Sequence, residues 1–123
     1  MIDKAIEFLV GKTFFVATIK DGMPTMRPFG AVMKFENKLY FSTSNSKDVY
    51  KQIMACPNVC ISACGENRNW LRIHGKACID NRIIAKQAML DSNPVLLTRK
   101  RFASANDPTM VVFYLDEIQV EFN

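Results

Sequence analysis

Little in this chain is equipped for acid–base or nucleophilic chemistry. It has one histidine, His74, and one tryptophan, Trp70, among 123 residues. It contains no G-x-S-x-G, no G-x-x-x-x-G-K, no G-x-G-x-x-G and no H-E-x-x-H, so hydrolase, nucleoside triphosphatase and metalloprotease readings lack support. Repeats, linkers and low-complexity stretches are missing as well. No run reaches the roughly 18 apolar residues that a membrane span needs. The first ten residues carry Asp3 and Glu7 and are too short in apolar residues to resemble a secretory signal, so a cytoplasmic location without membrane attachment is expected.

The 4 cysteines supply no paired C-x-x-C. Cys56, Cys60 and Cys64 are evenly spaced, but Pro57 interrupts the segment and only His74 could join them as a further soft ligand. Buried reduced thiols are therefore expected, with no metal.

What is present describes one globular unit, a single domain over 1–123. Hydrophobic residues make up 49% and charged residues 23%, a balance that excludes disordered and collagen-like chains. The net charge of +4 is scattered, which suits small anionic molecules at least as well as nucleic acid.

Apolar residues at helical spacing (Ile2, Ile6, Leu9, Val10) predict an opening helix that ends near Gly11. Strands are predicted at 13–19, at 25–35 as one long strand, and at 38–43, joined by turns at Asp21-Gly22 and Glu36-Asn37. A helix carrying Val49, Tyr50, Ile53 and Met54 should end at Pro57. Strands at 58–64 and 69–79 follow, then a helix capped by Asp80 or Asn81, another begun by Asn93-Pro94, and closing strands at 111–115 and 118–122 around Asp116-Glu117. About seven strands with short helices at the crossovers indicate an α+β fold, a small antiparallel barrel with peripheral helices.

Three places can carry chemistry. The segment Thr43-Ser44-Asn45-Ser46-Lys47-Asp48 joins a strand to a helix. Ser46 can cap the helix there, and the hydroxyls of Thr43 and Ser46, the Lys47 ammonium and free N–H groups can converge on a phosphate. An ordinary capped helix with a solvated lysine explains the same residues. Arg27 lies on an otherwise largely apolar strand face beside Pro28 and Phe29, where it needs an anion or a carboxylate partner. Pro28 and Gly30 interrupt that strand, as an edge kink or where a ligand lies against the backbone. Trp70, Arg72, His74 and Lys76 share one face of a strand, either solvated or walling a flat anionic ligand. No residue is assigned as acid or base, so any enzymatic chemistry would come from an organic cofactor.

Arg27-Pro28, Phe41-Ser-Thr-Ser-Asn-Ser-Lys47 and Trp70-Leu-Arg-Ile-His-Gly75 stand in an order and spacing that resemble the FMN-binding split-barrel family, the superfamily of pyridoxamine 5′-phosphate oxidase. The resemblance covers nearly the whole chain and implies a homodimer with FMN at the interface. It implies that Arg27, Pro28 and Phe29 lie beneath the flavin and that Ser42, Thr43, Ser46 and Lys47 meet its phosphate, with Lys51 the alternative to Lys47. It further implies that Trp70 or Arg72 reaches a flavin from the neighbouring strand or subunit. The oxidases carry a substrate lysine where this sequence has Val32, and they continue with substrate-binding residues beyond the point corresponding to Asn123. An FMN-dependent reductase or oxidase of a small acceptor, with NAD(P)H as a candidate electron donor, is therefore expected in place of pyridoxamine phosphate oxidation. A flavin carrier or sensor without turnover is the alternative. A nucleic-acid-binding barrel using Phe29, Phe41 and Trp70 as platforms ranks below both.

Overall fold

The computed structural model describes residues 2–123. It runs α1 (Ile2–Leu9), β1 (Phe14–Lys20), β2 (Met23–Phe29), β3 (Val32–Phe35), β4 (Lys38–Ser44), α2 (Asp48–Ala55), β5 (Asn58–Cys64), a short 3-10 turn, β6 (Trp70–Asp80), α3 (Ile83–Ser92), α4 (Val95–Thr98) and β7 (Met110–Phe122). All strand pairings are antiparallel, in the order β2-β1-β5-β6-β7-β4-β3. This is the expected α+β split barrel.

Two differences from the sequence reading bear on the site. The segment 25–35 is two strands that part at Gly30-Ala31. β2 pairs with β1 and β3 with β4, so residues adjacent in sequence stand at opposite edges of the sheet. Pro24 and Pro28 are tolerated because β2 is an edge and needs fewer ladder donors. At the other end, the two predicted closing strands are one long strand, β7. Its Asp116-Glu117 turn signal is absorbed as a bulge, with Glu117 at φ 50° opposite a register shift between His74 and Lys76. Gly75 sits at that shift because a Cβ there would lie 3.1 Å from Leu115 Cβ and 3.2 Å from the Asp116 carbonyl.

The hairpin turns form where the sequence indicates. Asp21-Gly22 and Glu36-Asn37 both have positive φ at their two central residues, the geometry that follows the twist of paired strands.

Side chains from alternate strand positions fill two cores. The first lies inside the barrel, around Phe14, Val16, Phe41, Ile61, Ile73 and Phe113, and α1 closes one end with Ala5 and Leu9. Phe41 packs 5.7 Å from Phe14 and 5.6 Å from Phe113, centroid to centroid, and is fully buried. That rules it out as an exposed stacking platform. The second core lies outside β3, β4 and β7, where α3 and Phe102 cover Met33, Tyr40, Met110 and Val112.

Between β4 and α3, Tyr40 donates to the Asp80 carboxylate at 2.7 Å, and Arg82 binds Asp80 and Glu36. Neither Asp80 nor Asn81 is the N-cap of α3. Arg82 holds that position, and Asp80 accepts its backbone N–H from outside the helix at 3.1 Å. Asn93 likewise ends α3 instead of capping α4, and its side-chain amide donates to the Val32 carbonyl.

Candidate functional site

The split between β2 and β3 opens a cavity of about 570 Å³, within the usual range for a small-molecule site. One wall is the end of β2 and the break after it, Arg27 to Ala31. The floor is Ser42, Thr43 and Ser44 of β4, the start of α2 contributes Ser46, Lys47 and Val49, and α4 with the segment after it forms the far wall. Seven of the nine sequence-derived site residues meet here: Arg27, Pro28, Phe29, Ser42, Thr43, Ser46 and Lys47. Lys51 is not among the lining residues, so Lys47 is the lysine at this wall.

Arg27 is held firmly. Its Nη1 donates to Thr18 Oγ1 at 2.7 Å and to the Val16 carbonyl at 3.1 Å, while Nη2 donates to Gln52 Oε1 at 2.8 Å. Thr18 in turn donates to the same Gln52 oxygen. All these acceptors are neutral. Burial pushes the guanidinium pKa down and the more distant Asp48 carboxylate partly opposes this. The structural salt bridge that would have accounted for Arg27 is not among the ion pairs of the described residues.

Ser46 does not cap α2. Lys47 occupies the N-cap position without a side-chain cap bond, and Ser46 Oγ lies 2.8 Å from Ser44 Oγ, which also accepts the Ser46 N–H. The Ser44 hydroxyl competes for the serine that the sequence offers as a cap. On the floor, Ser42 Oγ is buried without any hydrogen-bond partner. An orphaned hydroxyl of this kind costs about 1–3 kcal/mol unless a ligand or water satisfies it.

Trp70 and Arg72 lie elsewhere on the same chain. Arg72 binds Glu121 at 3.0 Å and stacks over Trp70, its Cζ 5.1 Å from the ring centroid. They belong to the outward face of β6 with His74 and Lys76, opposite Cys64, Ser62, Cys60 and Asn58 of β5. The cysteines are free but none is fully buried: Cys64 is exposed and the other three are half-buried. Among the described residues, no three His, Cys, Asp or Glu side chains are grouped to hold a metal.

The sequence reading missed the far wall. Val95, Leu96, Arg99, Arg101 and Phe102 border the cavity, and Arg99 and Arg101 bring two more cations. The signal was the basic run Arg99-Lys100-Arg101, but nothing local reveals that it faces β4.

Residues 2–117 match the family profile described as pyridoxamine 5′-phosphate oxidase. The chain belongs to the pyridoxamine 5′-phosphate oxidase family. No curated protein matches it. Among solved structures it is similar to a NimC/NimA family protein from Clostridium acetobutylicum, with 33% identity over 98% of this chain and 86% of that one and a TM-score of 0.91. General Stress Protein 26 from Bacillus anthracis str. Sterne shares the fold at 19% identity over 99% and 97% of the two chains, TM-score 0.75. So does a FAD-binding protein from Mesorhizobium loti, at 16% identity over 100% and 95%, TM-score 0.62.

The residues of the cavity fit a phosphate-bearing flavin such as FMN. An orphaned hydroxyl, an arginine tied only to neutral partners and a lysine sit together, and a Cβ built on Gly30 would meet nothing within 4 Å. The backbone at the break thus leaves room for a flat ligand.

Proposed function

We propose that the chain binds FMN in the cavity at the sheet split and acts, as a homodimer, as a flavin-dependent reductase or oxidase of a small acceptor. The observation that carries this reading is the grouping of Arg27, Lys47 and the unpartnered Ser42 hydroxyl around one cavity. Lys47 and Arg27 would neutralise the phosphate, while the hydroxyls of Ser42, Thr43 and Ser46 would donate to its oxygens. Pro28, Phe29, Gly30 and Ala31 would form the wall along the ring system. Bound FMN supplies hydride and electron transfer, and the protein supplies position and electrostatics. The family membership and the fold shared with a FAD-binding protein support a flavin.

Val32 stands where the oxidases carry a substrate lysine, so the substrate is expected to differ from pyridoxamine 5′-phosphate, with NAD(P)H as the electron donor. The cavity lining has no Asp, Glu, His, Cys or Tyr among the described residues. That favours either chemistry carried wholly by the flavin or a second reading, a flavin carrier or sensor without turnover. Titration of the purified chain with FMN should quench flavin fluorescence to an endpoint near one FMN per chain, and anaerobic NADPH or NADH should then bleach the bound flavin. No binding at micromolar FMN would contradict the proposal. Tight binding without bleaching or aldehyde formation from pyridoxamine 5′-phosphate would favour the carrier.

A further inference from the structure

The 4 cysteines are free, and the register of the β5–β6 ladder sorts them. Cys60 stands opposite His74 and Cys64 opposite Trp70. The same register, continued past Asn58 and Lys76, sets Pro57 against Ala77 and Cys56 against Cys78. Two observations show that it does continue. The Ala77 N–H donates to the Pro57 carbonyl at 2.8 Å, and Cys56, the residue that ends α2, has the extended backbone of a strand, φ −145° and ψ 109°. Successive cysteines along β5 are roughly 13 Å apart, beyond the reach of a disulfide. Cys56 and Cys78 are thus the one opposed pair among the 4.

The pair has the geometry that a disulfide needs. Hydrogen-bonded and non-hydrogen-bonded pairs alternate along an antiparallel ladder. Because Pro57 and Ala77 share a hydrogen bond, Cys56 and Cys78 fall at a non-hydrogen-bonded site. Opposed Cα atoms at such a site lie about 4.5 Å apart, inside the range of about 4.4–6.8 Å that disulfides bridge. Cys56 Sγ lies 3.9 Å from Asn58 Nδ2 and Cys78 Sγ lies 3.8 Å from the Lys76 carbonyl oxygen. Each thiol therefore leans along its own strand toward the neighbouring pair, held by a weak sulfur contact, and a turn about Cα–Cβ brings the two together. Both are half-buried, so a small oxidant reaches them.

We infer that Cys56 and Cys78 form a reversible intrachain disulfide, a modification site outside the cavity that a hydroperoxide closes. One thiolate attacks a peroxide oxygen, the O–O bond breaks, and the sulfur becomes a sulfenic acid while the other oxygen leaves as an alcohol or water. The second thiol then attacks that sulfur, so that the S–S bond forms, the S–O bond breaks and water leaves with the second thiol's proton. Two electrons pass from the sulfurs to the peroxide, and a dithiol reductant returns them. The bond ties the end of α2 to β6. The Cys56 N–H holds the Gln52 carbonyl at 2.8 Å, so the clamp acts on the helix whose Gln52 side chain fixes Arg27.

The test treats the reduced chain with hydrogen peroxide, blocks the remaining thiols with N-ethylmaleimide, and reads the intact mass and the non-reduced tryptic map. Two of the 4 thiols should be lost from each chain without doubling its mass, and dithiothreitol should restore them. Peptides 52–68 and 77–82 should appear as one linked species whose fragmentation puts the bond at Cys56. Cys56→Ser and Cys78→Ser should each abolish the link, and Cys60→Ser should keep it. Oxidation should raise the melting temperature of the wild type by about 5–10 °C and leave that of Cys56→Ser unchanged. Melts of the reduced variants check that they fold. Retention of all the thiols after peroxide would overturn the inference, as would over-oxidation without a link, a bond to Cys60 or Cys64, or a link between two chains.

Discussion

Gln52 determines how Arg27 can act. Its amide oxygen receives both Arg27 and Thr18, fixing the guanidinium while leaving its charge uncancelled. Gln52→Glu would keep an acceptor in the same place and add a carboxylate to it. FMN should then bind about tenfold more weakly, about 1.4 kcal/mol, while the melting temperature stays level or rises. Unchanged FMN affinity would show that the charge of Arg27 is not used. Ser42 gives the complementary case. Ser42→Ala removes a buried hydroxyl that has no partner, so apo-protein stability should hold or gain up to about 1 kcal/mol while FMN affinity falls. Melting curves with and without FMN separate the two effects. At this scale the sequence was informative about identity and silent about partners. An arginine on an apolar strand face announces that something must meet it, but Thr18 and Gln52 lie 9 and 25 positions away and only the fold brings them together. Arg99 and Arg101 went unrecognised for the same reason.

Elements were legible where the signal is local. Helical spacing in 2–9, the Asp21-Gly22 and Glu36-Asn37 turns and the alternation in β6 all act over a few residues, and the structure forms them there. The break at Gly30 and the continuity of β7 were missed because long-range pairing decides them. β2 leaves for one sheet edge and β3 for the other, and β6 holds β7 in register across a bulge. The Tyr40–Asp80–Arg82–Glu36 network that ties β4 to the start of α3 makes a prediction at this scale. Hydrogen bonds from Arg82 pull the Asp80 carboxyl down to about 2, with the Tyr40 hydroxyl adding to the effect against the opposing cost of burial. A carboxylate whose pKa is lower in the folded state stabilises the fold above its unfolded value of about 4, and that contribution is lost as the pH falls toward 2. Asp80→Asn should therefore cost about 2 kcal/mol at pH 7 and much less at pH 2–3. Urea denaturation of both proteins across that range checks it. An equal loss at both ends would mean that the charge of Asp80 does not matter.

For the whole molecule, the outer surface of β1, β2 and β5 is the feature that a single chain leaves unexplained. Phe15 faces Pro28, Ala17 faces Met26 and Ile19 faces Pro24 across the β1–β2 ladder, and Phe15 and Met26 remain 45% and 65% exposed. Pro28 also borders the cavity, so the apolar face and the cavity are contiguous. Burying such a face contributes about 25 cal/mol per Å², which is why a second copy is the proposed occupant, and a partner's Trp70 or Arg72 reaching the flavin belongs to that proposal. Sedimentation velocity should give a species of twice the chain mass, and Met26→Asp should shift it toward the monomer and weaken FMN. A wild-type monomer with FMN bound would contradict the dimer. The central claim is that the split of the sheet is a phosphate-anchored flavin site. Its most direct test compares FMN with riboflavin, which lacks the phosphate, on the wild type and on Lys47→Ala. FMN should bind the wild type more tightly than riboflavin, and Lys47→Ala should weaken FMN by about 1.5–3 kcal/mol while leaving riboflavin nearly unchanged. Equal losses for both ligands, or equal affinities in the wild type, would contradict the account.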